Sequence, residues 1–292
     1  MKEGKASRTA EGTAFSRAVE STRPAGERLF YDPYAKGFLS RALNAIANSR
    51  VLATLVIWNS ERTNPGGISF AMVRTRYIDE CLRARIDDGI QQLVVLGAGY
   101  DSRAYRFDGL KGRVKVFEVD HPATQKVKKE KVEKLFGTLP DHVVYIPINF
   151  DEEKLARKLL EGGYDRHLKT LFIWEGVTMY LTAEAVDETL AAIVDNSGED
   201  SSVIFDYIYE GAVDGTLKGS EKWRKVAERL GEPPSFGIED GTVGQFLKKR
   251  GFDRVNDMSV ESLTNHYREE SGRNLRVFPF SSIVHATVKP WE

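Results

Sequence analysis

Five short apolar segments alternate with helix-like segments through the middle of the chain, and this alternation constrains the fold more than any other feature. The expected strands cover residues 93–96, 114–117, 143–148, 170–174 and 202–206. Helices are expected over residues 68–85, 122–136 and 151–160, and again after Thr182. Apolar strands that alternate with helices imply a parallel β-sheet covered by helices on both faces. Ligands of such sheets bind beyond the carboxyl ends of the strands.

The segments on either side of this α/β core differ from it in character. We expect residues 1–66 to form a helical N-terminal cap, residues 67–206 to form the core, and residues 207–236, rich in Tyr, Gly, Lys and Glu, to form an inserted lid. Two late strands, one starting at Gly251 and one over 281–288, have no predicted helix between them, which suggests an antiparallel hairpin within residues 237–292. The expected architecture is a single domain, residues 1–292, with a mostly parallel seven-stranded sheet.

The composition indicates neither a nucleic-acid nor a membrane partner. The chain has 42 basic and 43 acidic residues, and its basic run at 126–134 includes acids, as on the solvated face of a helix. There is no apolar signal region in residues 1–8 and no window near the roughly 18 apolar residues of a membrane span. Cys81 is the only cysteine, so a reducing compartment and a cytoplasmic protein are expected. The five histidines are scattered, and no metal site is predicted.

The first strand ends in Gly97-Ala98-Gly99, where the missing Cβ atoms of the glycines let the backbone approach a ligand. A third glycine, expected at position 102 in a dinucleotide site, is replaced by Ser102; that glycine closes helix and strand around a pyrophosphate. Glu118 and Asp120 end the second strand, where a carboxylate can accept both ribose hydroxyls. These residues predict an adenosine-bearing cofactor and favour S-adenosylmethionine, which has no pyrophosphate, over a dinucleotide.

Two arginines, Arg74 and Arg76, lie on the predicted helix before the first strand. A guanidinium binds a carboxylate through two parallel hydrogen bonds, so either arginine suits the carboxylate of S-adenosylmethionine. The alternative is that both are surface charges. Tyr100 and Arg103 follow the glycine turn, and Arg103 is a candidate contact for an anionic substrate or a residue of the helix surface.

Several motifs occur together and in a fixed order. They are Asp32-Pro-Tyr-Ala35, Arg74-Thr-Arg-Tyr-Ile-Asp79, Leu96-Gly-Ala-Gly-Tyr-Asp-Ser-Arg-Ala-Tyr-Arg106, Phe117-Glu-Val-Asp120 and Trp174-Glu-Gly-Val-Thr-Met-Tyr-Leu181. From about residue 12 to the C-terminus the chain resembles the leucine carboxyl methyltransferase family, best its bacterial and archaeal branch, which includes the tetracenomycin polyketide O-methyltransferase. The resemblance implies a Rossmann-like class I methyltransferase fold, with S-adenosylmethionine as donor and S-adenosylhomocysteine as product.

The resemblance also implies which residues hold the cofactor. Arg74 matches the arginine that holds the methionine carboxylate, and Asn149-Phe150 stands where the family has an Asp-Leu pair beside the adenine. Asparagine keeps an acceptor and donors for the adenine edge but carries no charge. The implied cofactor-binding residues are Arg17, Arg74, Gly97, Ala98, Gly99, Glu118, Asp120, Asn149, Phe150 and Glu175.

Methyl transfer is an in-line displacement that depends on alignment of donor and acceptor. We expect a metal-independent reaction in which Tyr180, five residues beyond Glu175, lines the acceptor pocket, positions the nucleophile or packs under the next helix. Tyr207 and Tyr209 are candidates for the pocket wall. Trp223 is a candidate lid residue, but a place in the core is favoured for it.

Three functions remain open at this point. The favoured one is methylation of a carboxylate or hydroxyl of a small molecule. The second is carboxyl methylation of a protein C-terminus, as in the eukaryotic branch of the family. The third is a nicotinamide oxidoreductase or a non-catalytic nucleotide binder, against which Ser102 and the Arg74 helix argue. The sequence gives no indication of the oligomeric state.

Overall fold

A computed structural model describes residues 8–150, 152–231 and 233–290, and it contains one seven-stranded sheet. The strands are β1 (Gln92–Leu96), β2 (Lys115–Asp120), β3 (Val143–Pro147), β4 (Thr170–Trp174), β5 (Ser202–Ile208), β6 (Phe252–Ser259) and β7 (Ser281–Val288). Their spatial order is β3-β2-β1-β4-β5-β7-β6. Neighbours among β1 to β5 run parallel, while β7 is antiparallel to both β5 and β6. The predicted mostly parallel sheet with an antiparallel C-terminal edge is therefore confirmed.

Helices cover both faces of this sheet. They are α1 (Arg8–Glu20), α2 (Arg41–Asn48), α3 (Arg50–Thr63), α4 (Gly67–Asp87), α5 (Arg103–Arg106), α6 (Pro122–Phe136), α7 (Leu155–Glu161), α8 (Ala183–Asp195), α9 (Glu210–Asp214), α10 (Glu221–Leu230), α11 (Val243–Lys248) and α12 (Val260–Ser271). Every residue of β1 is buried, and alternate side chains enter two separate cores. Leu93 and Val95 join the core that includes α1, α4 and α12, whereas Val94 and Leu96 join the core beneath α7, α8 and α11.

Local signals in the sequence fix several of these elements. Pro122 occupies the first turn of α6, where its missing N–H costs no hydrogen bond, and Gly137 ends the helix at φ +82°. The hydroxyl of Thr182 accepts the backbone N–H of Ala185 and so caps α8, as the sequence predicts. The helix expected over 151–160 begins at Leu155; Asp151 lies outside the described residues, as do residues 1–7 of the predicted cap and Glu232 of the predicted lid.

The structure corrects two expectations and gives the length of the helix after the glycine turn. The strands β6 and β7 do pair antiparallel, but α12 connects them, so they are not a hairpin. Strand β5 continues to Ile208, which places Tyr207 inside the sheet rather than in an insertion. The helix after the glycine turn, α5, has only four residues. Among the described residues, no helix is long and apolar enough to cross a membrane.

Candidate functional site

The turn that follows β1 requires its two glycines. Gly97 and Gly99 have φ angles of +66° and +42°, in the region that favours glycine. A Cβ atom on Gly97 would lie 2.5 Å from Cγ2 of Val177, so a larger residue would displace the loop after β4. Ala98 between them is buried. The turn therefore exposes backbone at the carboxyl ends of the central strands, where the sequence places a cofactor.

Two carboxylates end β2, and their surroundings differ. Asp120 accepts the backbone N–H of Gly99, and it accepts the N–H of His121 at 2.6 Å. Burial raises its pKa, and these N–H donors only partly offset that effect. The position beside the glycine turn is the one expected of a ribose ligand.

Glu118, two residues earlier, faces inward. It is 1% exposed, forms an ion pair of 2.8 Å with Lys128 and accepts the Tyr105 hydroxyl at 3.0 Å. Burial raises its pKa to about 7 against the opposing charge of Lys128. The carboxylate of Glu118 thus forms its hydrogen bonds with Lys128 and Tyr105 inside the protein, next to the end of β2.

Arg74 of α4 reaches the carboxyl ends of β4 and β5. Its Nε donates to Oε1 of Glu175 at 2.9 Å and its Nη1 donates to Oδ2 of Asp206 at 2.7 Å. The N–H of Gly176 donates to the other oxygen of Asp206 at 2.6 Å. A Cβ on Gly176, whose φ is +70°, would lie 3.2 Å from Arg74 Nη1. Two predicted residues, Arg74 and Glu175, are therefore in direct contact.

Sequence reasoning missed Asp206. Its only signal is a carboxylate inside the otherwise apolar strand β5, where it is fully buried. Burial raises its pKa, and the guanidinium of Arg74 opposes that rise. By bonding both Arg74 and the Gly176 backbone, Asp206 fixes the guanidinium against the loop that carries Glu175.

Arg103 completes this cluster, and it is not a helix-surface residue. It is 2% exposed; its Nε donates to Asp79 at 2.8 Å, and its Nη1 donates to Asp101 and to Glu175 at 2.6 Å each. Its Nη2 is buried and has no hydrogen-bond partner within residues 8–150, 152–231 and 233–290. A buried donor without a partner is costly, so this atom is suited to an acceptor from a bound ligand.

The charges of the cluster hold one another ionised. Burial alone would raise the pKa of Glu175, but Arg103 and Arg74 outweigh it and bring the pKa below its ordinary value. The same balance, dominated by Arg103, lowers the pKa of Asp101. The pKa of the Arg103 guanidinium lies well above its ordinary value, because the acids around it outweigh the burial that would lower it. These groups keep fixed charges and do not act as proton carriers near neutral pH.

The other predicted residues lie around this centre at varying depth. Arg17 donates its Nε to Asp32 at 2.9 Å and its Nη2 to the carbonyl of Tyr100. Asn149 follows β3, and its backbone N–H donates to Glu153 at 3.0 Å. Phe150 packs against the core beneath α7 and α8. The three residues thus border the edge from β1 to β3.

The predicted aromatic residues differ in how deeply they are buried. Tyr180 ends the 3₁₀ turn Thr178–Tyr180 and is half-buried. Tyr207 is fully buried and donates its hydroxyl to Asp257 at 3.0 Å, so it does not form a pocket wall. Tyr209 is half-buried, with its hydroxyl 2.9 Å from that of Ser282. Trp223 packs against Phe280, with ring centroids 5.6 Å apart, in agreement with a core role.

The cluster fits the amino-acid end of S-adenosylmethionine. The unpartnered Nη2 of Arg103 can donate to a carboxylate, and Glu175, Asp101 and Asp206 are acids that can face an ammonium or sulfonium charge. The glycine turn and Asp120 supply backbone approach and acceptors for the ribose. A separate cleft of about 390 Å³, lined in part by Phe15, Val19 and Met72, contains none of the predicted cofactor residues.

Comparison with known proteins gives the family of the chain. The family model for leucine carboxyl methyltransferase matches residues 10–194. The Bacillus subtilis protein named "Putative S-adenosyl-L-methionine-dependent methyltransferase YktD" is 30% identical over 75% of this chain and 72% of its own. A Mycobacterium tuberculosis protein named "Putative S-adenosyl-L-methionine-dependent methyltransferase" is 29% identical over 96% of this chain and 88% of its own.

Solved structures support the fold. The "putative methyltransferase from Thermobifida fusca YX" aligns with a TM-score of 0.63 over 99% of this chain and 97% of its own, at 11% identity. Fold, family model and relatives together define a class I S-adenosylmethionine-dependent methyltransferase. Within that class, the chain belongs to the leucine carboxyl methyltransferase family.

Proposed function

We propose that this methyltransferase transfers the methyl group to a carboxylate or hydroxyl oxygen of a small molecule. The observation that carries the proposal is the cluster of Arg74, Arg103 and Glu175 at the carboxyl ends of β1 and β4. Its groups are joined to one another by hydrogen bonds, and one buried Arg103 donor, Nη2, is left for an acceptor. Preformed charges of this kind orient a ligand without reorganisation during the reaction.

The reaction needs little beyond orientation. When bound, S-adenosylmethionine would supply an electrophilic methyl group on a sulfonium: the acceptor oxygen would bond to the methyl carbon in line as the S–CH3 bond breaks, and the sulfur would leave as a neutral thioether. Arg74, Arg103 and Glu175 would hold the amino-acid end, and Asp120 would hold the ribose. Alignment of this kind contributes up to about 7–11 kcal/mol in favourable cases. A carboxylate acceptor gives up no proton, whereas a hydroxyl acceptor requires a base.

The acceptor side is proposed from the position of Tyr180. This tyrosine is half-buried in the 3₁₀ turn after Glu175, close in sequence to the cofactor cluster. A phenol hydroxyl can donate to an acceptor oxygen and orient it towards the methyl group. Tyr180→Phe tests this role: we expect lower turnover with unchanged cofactor affinity.

Cofactor binding is the first test of the proposal. Isothermal titration of S-adenosylmethionine, S-adenosylhomocysteine and NADPH should give binding for the first two only. Arg74→Lys keeps the charge but loses the planar fork, so it should weaken S-adenosylhomocysteine binding at least tenfold. Arg76→Lys, on the same helix but bonded to Glu80 and Glu270, is the matched control and should bind as the wild type does. Binding of NADPH alone would refute the proposal.

The acceptor is tested by methyl transfer from radiolabelled S-adenosylmethionine. Panels of small carboxylates and phenols are compared with peptides that end in a free carboxyl group. Release of labelled methanol in base identifies an ester, and retention of label identifies an ether. Labelling of the peptides in place of the small molecules would favour protein carboxyl methylation and contradict the proposed acceptor class.

A further inference from the structure

The Asp32-Pro33 motif lies outside the cluster just described, yet its carboxylate has four donors. Oδ2 of Asp32 accepts Arg17 Nε at 2.9 Å and the Ser102 hydroxyl at 2.6 Å. Oδ1 accepts the backbone N–H groups of Tyr34 and Ala35 at 3.0 Å each. The side chain is fully buried. A buried carboxylate with its acceptors occupied at the start of a loop is a fixed anchor, not a surface charge.

Two of these donors connect Asp32 to the glycine turn. Ser102 lies three residues after Gly99, and the second nitrogen of Arg17, Nη2, donates to the carbonyl of Tyr100. Helix α1 also contacts the turn directly, since a Cβ on Gly99 would lie 3.1 Å from Cβ of Ala10. The segment 8–35 therefore contacts residues 99–102 at three places: the backbone of Gly99, the carbonyl of Tyr100 and the hydroxyl of Ser102.

The same network of hydrogen bonds extends through α5 to Asp79 of α4. Arg106 Nε donates to the Ser102 hydroxyl at 3.1 Å. The same guanidinium donates to both oxygens of Asp79, at 2.7 and 2.6 Å, and Asp79 in turn accepts Arg103 Nε. The hydroxyl of Ser102 thus accepts a hydrogen bond from Arg106 of α5 and donates one to Asp32. A glycine, which a dinucleotide site would have here, could form neither bond.

We propose that Asp32 is a positioning residue: through Ser102 and Arg17 it holds residues 99–102 in the conformation that binds the cofactor, so that docking of the N-terminal segment and cofactor binding are coupled. The proposal rests on the cofactor site proposed above. A turn that contains two left-handed glycines has many alternative conformations when it is released, and cofactor binding would then have to restrict them. Coupling of this kind is reciprocal, so the cofactor must also stabilise the docked N-terminal segment.

The affinity test uses the full-length protein and S-adenosylhomocysteine as the probe. Asp32→Asn removes the charge and Ser102→Ala removes only the hydroxyl; each should raise the dissociation constant at least tenfold in titrations at a temperature where circular dichroism shows a folded protein. Ser102→Gly, which restores the dinucleotide pattern, should lose as much affinity as Ser102→Ala. Asp187→Asn, which breaks the exposed ion pair with Arg250, is the control and should bind normally.

The second readout separates positioning from a purely structural role. In the wild type, S-adenosylhomocysteine should slow amide hydrogen exchange both at residues 97–102 and in α1; in Asp32→Asn and Ser102→Ala the protection of α1 should disappear. If Asp32→Asn does not fold, Ser102→Ala decides the matter. Unchanged affinity and unchanged protection in folded variants would overturn the coupling, while absence of binding by the wild type would instead refute the proposed function.

Discussion

The carboxylates at the two sides of the glycine turn all lie at strand ends, but their pKa values shift in opposite directions. On one side, Glu175 lies between Arg74 and Arg103, and its pKa is lowered because the two guanidiniums outweigh burial. On the other side, burial raises the pKa of both Glu118 and Asp120, since one ammonium and a few N–H donors offset it only in part. Carboxylates at the ends of β2 and β4, the two strands that flank β1, therefore have pKa values shifted in opposite directions.

The difference assigns different tasks to the two sides. The arginine cluster, which we define as Arg74, Arg103, Asp101 and Glu175, is a set of fixed charges joined to one another by hydrogen bonds. Such a cluster suits the charged amino-acid end of the cofactor. Asp120 is held by backbone N–H groups and retains lone pairs for hydroxyl donors, so it suits the neutral ribose.

The largest effect should come from breaking the arginine cluster. Arg103→Ala leaves Asp79, Asp101 and Glu175 without their shared cation, and loss of one partner from a buried ion pair costs about 3–5 kcal/mol. Urea unfolding measures the change in the free energy of unfolding. Arg157→Ala, which breaks an exposed pair with Glu161, should cost much less, because exposed ion pairs contribute little to stability. Equal costs for the two variants would show that the cluster is not a structural support.

A smaller effect should separate the two carboxylates of β2. Asp120→Asn should weaken S-adenosylhomocysteine binding by about 1.5–3 kcal/mol, the usual contribution of a hydrogen bond to a charged group, which is roughly a 10- to 100-fold loss of affinity. Glu118→Gln should change the dissociation constant less than about threefold, because its carboxylate is bonded to Lys128 and Tyr105. Titration calorimetry on both variants measures this. The reverse order would move the ribose ligand to Glu118.

The sequence predicts elements well where local signals are sharp. The bounds of β4, β7 and α6 agree with the predicted ranges, because apolar runs or a proline and a glycine mark their ends. Helix α12 was missed although its buried residues, Val260, Leu263, Thr264 and Tyr267, have helical spacing and Ser259 caps it. Its many charged residues hid a narrow apolar stripe.

The site could be predicted only in part for a different reason. Arg74 and Glu175 are recognisable from their motifs, but their contact depends on α4 passing the ends of β4 and β5, which is a matter of strand order. The burial of Arg103 and the contacts of Asp206 follow from that same arrangement, and the one local signal is the carboxylate of Asp206 inside an apolar strand. Ser102 illustrates the limit: its difference from glycine is visible in the sequence, while its bonds to Asp32 and Arg106 require the fold.

A more gradual effect should appear in the dependence of stability on pH. The pKa of Glu118 is raised to about 7 from its ordinary 4.5, so its contribution to stability is complete below pH 4.5 and is lost as the pH rises through 7. Glu175 and Asp101 have lowered pKa values, so their contribution is present above their ordinary pKa values and is lost only as the pH falls through the lowered ones. The contribution of Glu118 and the contributions of Glu175 and Asp101 are therefore lost in opposite directions of pH.

Glu118→Gln separates these contributions when urea unfolding is followed from pH 4 to 8. His285 complicates the wild-type profile, because burial lowers its pKa to about 4 and its contribution is lost on acidification. The difference between wild type and variant removes that term. The difference profile is the free energy of unfolding of the wild type minus that of Glu118→Gln, plotted against pH. We expect it to change between pH 4.5 and 7.5 by at most about 1.4 kcal/mol per pH unit, the limit for one proton, and to be flat below pH 4. A difference profile without slope would mean that folding does not raise the pKa of Glu118, so that its carboxylate is ionised near neutral pH and both sides of the turn hold fixed charges.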